Sequence, residues 1–344
     1  MNFKKKIIKE KKEKNIGIEI LRIYLSILVV NTHCFKNSNE YHLLLLKIIR
    51  NQLHVPTFII ISFYFFQNSL FSRNLEKYKQ RFQRLLIPYI LWSFIIWILN
   101  CILDHYFNIG LKHSFKDLKK QLLTGHCLNI VFWFQWNLIF LTFFYIIIEL
   151  TFHKYIINIL LNIGLTAYFF QYSHYNYNLF SNLEYEIKYT FGRFVEMIPY
   201  SISGLFFAYF KLFDYFKKNR IKIIDKVILI FILISKYNSI ITPIGFGYSG
   251  FYSHILSICL FIFFSLLSSK FMPQKLIKMI IPISKCTPGI YYLHYPIMLY
   301  LKNIFYSIKY KRLDGAILIY IICYFISIAG NIIFRKSQLI NLFQ

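Results

Sequence analysis

Acidic residues are scarce: 14 Asp and Glu stand against 40 Lys and Arg in 344 residues. Such an excess suits a nucleic-acid partner only when the basic residues form a stripe or motif. Here they fall mostly in short gaps between apolar runs. That is where topology signals and contacts with anionic headgroups belong, so membrane lipids are the expected partner and nucleic acid is not. The cysteines lack a framework as well. Cys34, Cys101, Cys127, Cys259, Cys286 and Cys323 show no CxxC spacing and mostly lie in or beside apolar runs, so neither a zinc site nor a disulfide scaffold is indicated. Also missing are a GxSxG elbow, a Walker phosphate loop and any metal-ligand spacing. No repeat, low-complexity linker or soluble domain interrupts the chain.

What the sequence does hold is 57% hydrophobic and 20% aromatic residues in repeated long apolar runs. Runs long enough to span about 30 Å of hydrocarbon predict helices near 16–35, 55–71, 86–104, 128–150, 155–171, 191–210, 222–242, 250–269, 280–301 and 315–334. The expected fold is an all-α, multi-pass bundle of about ten transmembrane helices. It has a basic cytosolic tail over 1–15, a membrane domain over 16–334 and a short cytosolic tail over 335–344. The basic N-terminus resembles a signal-peptide n-region, but a longer apolar stretch without a small-residue cleavage site follows, so a retained first span is expected. The ninth helix contains Pro282, Pro288, Gly289 and Pro296. A break there is tolerated if protein or a cavity surrounds the freed backbone groups. The distribution of basic residues supports cytosolic termini, although the outer loops 105–127 and 302–314 carry lysines against the rule.

In Leu21–Phe35 an arginine and a histidine share one apolar helix with no acidic residue between them. The eleven-residue step from Arg22 to His33 returns to within about 20° of the same face after a rise of roughly 16 Å. Two readings are open. Either the pair shares a cavity and marks a site, or each side chain snorkels to its own interface. Just before the third helix, Arg81 and Arg84 are spaced i, i+3 and so fall on one helical face. Guanidinium pairs suit phosphate, and equally suit a cytosolic anchor.

These motifs together resemble the acyltransferase 3 family of integral membrane O-acyltransferases. The family's Arg, ten residues, His pattern falls on Arg22 and His33, and its RxxR with a Leu-Pro-Tyr run falls on Arg81, Arg84, Pro88 and Tyr89. HVPTFIIISFYFF at 54–66 is similar to VPLFFxISGxxL, VFWFQWNLIFL at 131–141 to the WFL segment, and GIYYLHYPIM at 289–298 to GIYLIHxPI. Two positions depart from the pattern: Phe63 stands where a glycine is usual, and Gln135 replaces a leucine.

The resemblance implies that His33 is the catalytic group. A neutral imidazole can take the proton of an acceptor hydroxyl as it attacks a thioester. Arg22 would orient the donor or stabilise oxyanion charge, and Arg81 and Arg84 would hold the phosphates of coenzyme A. The implied donor is an acyl-CoA, above all acetyl-CoA, acting as a substrate with no resident cofactor. The implied acceptor is a hydroxyl of a cell-surface carbohydrate or lipid-linked glycan. His294 is either a second catalytic group or a histidine satisfied by Tyr291, Tyr292 and Tyr295. Glu196 is either a structural partner of Arg193 three residues before it or, like Trp133, an additional site residue, and Trp133 and Trp136 serve packing or the interfacial belt, with sugar stacking as the sharper alternative. If Arg22 and His33 do share a cavity, it runs from a mouth at Arg81 and Arg84 past both residues, with His294 at its border. The competing function class is a transporter or exporter of a glycan intermediate, favoured by many helices, a broken helix and a basic entrance.

Overall fold

The computed structural model describes residues 15–34, 44–107, 110–172, 185–241, 251–267, 272–304, 318 and 321–329. Among the described residues every regular element is helical. In chain order these are α1 (Ile16–Cys34), α2 (Leu44–Leu70), α3 (Leu75–Phe107), α4 (Phe115–Thr124), α5 (Trp133–Phe152), α6 (Ile156–Tyr172), α7 (Tyr185–Tyr209), α8 (Leu212–Lys218), α9 (Arg220–Ile241), α10 (Phe251–Ser265), α11 (Gln274–Lys285) and α12 (Thr287–Ile304). Residues 321–329 are helical as well.

Two helices that pack on the apolar core also turn large apolar side chains outward and bury polar ones. On α3, Leu91, Phe94, Ile98 and Ile102 are exposed, whereas Ser93 and Asn100 are buried. On α5, Phe140, Phe143, Ile147 and Leu150 are exposed, whereas Gln135, Asn137, Thr142 and Glu149 are buried. Apolar groups outside and polar groups inside are what a hydrocarbon solvent selects. Among the described residues three helical stretches, Ile16–His33, Leu75–Tyr106 and Trp133–Ala167, are long and apolar enough to cross a membrane.

Backbones approach closely where α2 meets α7. A Cβ on Gly204 would sit 2.4 Å from the carbonyl oxygen of Ile60, so only glycine lets the two backbones approach this far. The aromatic rings of Phe63, Phe66, Tyr145 and Phe261 fill the core around that seam. A smaller cluster of Val30, Ile290, Met298 and Cys323 joins α1 to α12 and the last helix.

The expected break in the proline-rich ninth stretch is present: the stretch is two helices, α11 and α12, parted at Cys286, while Pro282 and Pro296 lie inside helices. Within segment 105–127, expected as an outer loop, lies α4, and the segment folds back on α3. Asn100 Nδ2 donates to the Lys112 carbonyl (2.8 Å), Trp97 Nε1 to that of His113 (2.7 Å) and the Tyr89 hydroxyl to that of Gln121 (2.6 Å). Residues 112–121 therefore run back along α3. The local sequence builds this return: Ser114 and Asp117 form a capping box that starts α4. Gly125 ends it at φ 68°, in the left-handed region that a Cβ disfavours. At the other end of α5, the buried Glu149 carboxylate receives Nε of Arg73 (3.3 Å) and the ring of His153, tying the α2–α3 turn to α5.

Candidate active site

His33 is placed by the last turn of α1, where its half-buried ring meets two side chains of α12. His294 lies 5.3 Å away between ring centroids, tilted by 44°, and Tyr295 lies 5.3 Å away edge-on. His294 is fully buried. Its Nδ1 is 2.8 Å from the carbonyl oxygen of Ile290. A carbonyl only accepts, so Nδ1 carries the proton and Nε2 presents a lone pair. Nε2 has no hydrogen-bond partner among the described residues. The pair thus brings one half-buried imidazole against a buried one whose basic nitrogen is unspent. Tyr291, one turn back, donates to the carbonyl of Val131 and lies 6.1 Å from the His294 ring, linking α12 to the segment that precedes α5.

Arg22 has a different environment. Its guanidinium is 3.2 Å from Glu19, and the same carboxylate accepts from Ser284 at the end of α11. Glu19 lies just outside the Leu21–Phe35 stretch, and its i, i+3 spacing to Arg22 is the signal in the sequence for this pair. Between Arg22 and His33 on that face stand Ser26 and Val29, each 3% exposed. A single cavity shared by Arg22 and His33 therefore gives way to two environments separated by packed side chains, about 16 Å of helix apart.

The two arginines of the third helix also separate. Arg81 turns inward: Nη2 donates to Ser62 at 2.7 Å, and the guanidinium carbon sits 4.9 Å from the Phe66 ring centroid and 5.7 Å from that of Phe63. Arg84 is exposed. The two share one helical face by their spacing, yet Arg81 packs into the bundle while Arg84 stays at its surface. Phe63 is buried against Phe66 and Tyr145 and supplies one of the rings over which Arg81 lies. Gln135 is buried and donates to the carbonyl of Leu85 at 2.9 Å, joining α5 to α3 beside Pro88.

Glu196 receives Arg193 Nη1 at 2.7 Å. The Arg193 guanidinium also lies 5.6 Å from the buried ring of Trp133 and 5.0 Å from that of Tyr189. Trp133 and Glu196 thus join one cluster on α5 and α7, whereas Trp136 donates to the carbonyl of Leu123. No group of three or more metal-ligating side chains occurs among the described residues.

Comparison with curated proteins and with solved structures finds no match. The family model described as an acyltransferase domain matches residues 15–336, nearly the whole chain and every motif described above. With that span covered and its helices built for hydrocarbon, this membrane protein belongs to the acyltransferase 3 family.

Proposed function

We propose that the protein transfers an acyl group, with acetyl-CoA as donor, to a hydroxyl of a cell-surface carbohydrate or lipid-linked glycan. The observation that carries this reading is the contact of His33 with the buried His294. In the proposed step the acceptor oxygen attacks the thioester carbonyl, a C–O bond forms and the C–S bond breaks. His33 removes the hydroxyl proton as the bond forms and returns it to the departing thiolate of coenzyme A. His294, neutral and held through Nδ1, is the group against which His33 is positioned.

Arg22, oriented by Glu19 and Ser284, would hold the donor about 16 Å from His33 along the same helical face. Arg84 supplies an exposed charge for the phosphates of coenzyme A, and Arg81 stands one turn behind it, braced by Phe63 and Phe66. Donor and acceptor are substrates, and no resident cofactor enters the scheme. The topology that fits it has about ten spans, cytosolic termini and His33 toward the outer face.

Purified protein in nanodiscs, supplied with acetyl-labelled acetyl-CoA and surface glycan, tests the reading. Label should move to the glycan with release of one thiol, and His33→Ala should stop both. Unchanged turnover in that variant would remove the assignment. Mass spectrometry of surface glycans with and without the protein identifies the acceptor.

A further inference from the structure

Helix α11 divides lengthwise into three stripes, because spacings of three, four and seven residues gather side chains on one side of a helix. Ile277, Ile280 and Ser284 face the bundle: Ile280 and Ser284 are buried, and Ile277 is half-buried. Leu276, Met279 and Ile283 form the second stripe, in which Leu276 and Met279 remain 44% and 61% exposed. Lys275, Lys278 and Lys285 form the third, and all three are exposed. No acidic residue occurs anywhere in α11.

Packing on the bundle accounts for the first stripe alone. In water, Leu276 and Met279 would stand exposed beside two lysines; upright in hydrocarbon, the lysines would be the misplaced groups. Twelve residues rise about 18 Å, short of the roughly 30 Å that a span requires. From Lys275 to Lys285 the rise is about 15 Å, so an upright α11 would hold its lysines at very different depths. Lying along the interface, it dips the apolar stripe toward the acyl chains and keeps every lysine at headgroup level. A basic stripe without acid favours anionic headgroups over zwitterionic ones.

The far end of α11 joins this surface to Arg22. The helix packs on α1, and Ser284 donates to the Glu19 carboxylate that lies 3.2 Å from the Arg22 guanidinium. The start of α1 is itself fixed in place. Asn15 Nδ2 donates to the Ser265 carbonyl at 2.9 Å, and a Cβ on Gly17 would overlap the carbonyl of Phe264. Displacing α11 therefore moves Ser284 against an anchored carboxylate.

We propose that α11 is a docking surface for anionic phospholipid headgroups of the surrounding bilayer, and that its engagement sets the Ser284–Glu19–Arg22 contact. The surface stands by itself; its effect on turnover rests on the acyl-transfer reading given above. The test is hydrogen exchange of the full chain in phosphatidylcholine nanodiscs, with and without about a third of phosphatidylglycerol, alongside the thiol-release assay. Phosphatidylglycerol should slow exchange of residues 274–285 about tenfold at low salt, and salt at about 0.5 M should remove most of the effect. Lys275→Gln combined with Lys278→Gln should abolish the response to phosphatidylglycerol, and Leu276→Ser combined with Met279→Ser should quicken exchange in both lipids. Equal exchange in the two lipids, or an undiminished response in the lysine variant, overturns the surface. If that variant does not assemble, the salt dependence of the wild type decides in its place. Slowing by glycerol phosphate added to phosphatidylcholine discs would assign the lysines to a soluble anion. Slowing seen only with two chains per disc would assign the stripe to a second copy, and either result overturns the proposal. Thiol release should rise about threefold with phosphatidylglycerol in the wild type and stay level in Ser284→Ala, whose exchange still responds to the lipid. Lipid-dependent exchange with one rate of thiol release in both lipids overturns the link to Arg22. Lipid-dependent exchange with no thiol release at all would leave the surface standing and remove acyl transfer. Thiol release with equal exchange in the two lipids would do the reverse.

Discussion

The imidazole of His33 lies 5.3 Å from that of His294, although 261 positions separate them in the chain (294 minus 33). Nδ1 of His294 is committed to the Ile290 carbonyl, so any service it gives to His33 comes through ring contact or through Nε2. His294→Phe keeps the bulk and removes Nε2. We expect it to lower kcat at least tenfold and to move the acidic limb of the pH–rate profile, with KM for acetyl-CoA changed by less than twofold. A profile of unaltered shape would reduce His294 to packing.

Arg22 and Glu19 act as one unit. Glu19→Ala should depress activity in the same direction as Arg22→Ala, and the double variant should be little worse than either single one. Arg22→Lys should rescue little, because the planar guanidinium is lost. Additive effects in thiol release would show that the two residues serve different steps.

The separation of Arg81 from Arg84 predicts unlike variants. Arg84→Ala should raise KM for acetyl-CoA with little change in kcat. Arg81→Ala should also lower the melting temperature, since it removes the Ser62 hydrogen bond and the contact with two rings. Phe63→Gly should reproduce part of that loss. A cation–π contact contributes about 0.5–2 kcal/mol, and the vacated ring adds a cavity penalty. Equal KM effects and equal melting temperatures for both arginine variants would restore the paired clamp.

At α4, Ser114→Ala should cost about 1 kcal/mol through loss of the cap. Burial raises the Asp117 carboxyl, but hydrogen bonds from the Ser114 hydroxyl and N–H outweigh it and hold the group below its ordinary value. A depressed carboxyl stabilises above its unfolded value of 3.8. That contribution fades as the pH falls through the folded value. Hydrogen-exchange protection of residues 115–124, taken relative to the intrinsic exchange rate at each pH, should therefore fall in acid in the wild type, and be nearly independent of pH over the same range in Asp117→Asn. Equal acid sensitivity in both would place the titrating group elsewhere.

Much of this protein could be read along the chain, because hydrocarbon imposes long apolar helices whatever their neighbours. The helical class, the starts of α1 and α6, the Arg193–Glu196 pair and the family motifs follow from composition and from spacings of three, four or eleven residues. Those spacings are local, and a helix converts them directly into shared faces. What they leave open is which neighbour each face meets. His33 facing His294, Glu19 reaching Ser284, Arg81 turning toward Phe63 while Arg84 turns out, and residues 112–121 returning along α3 all join segments distant in sequence. Helix periodicity fixes direction around one axis only. The arrangement of axes comes from packing, as at Gly204 against Ile60, and packing alone brought the histidine pair and the α5–α7 seam into being.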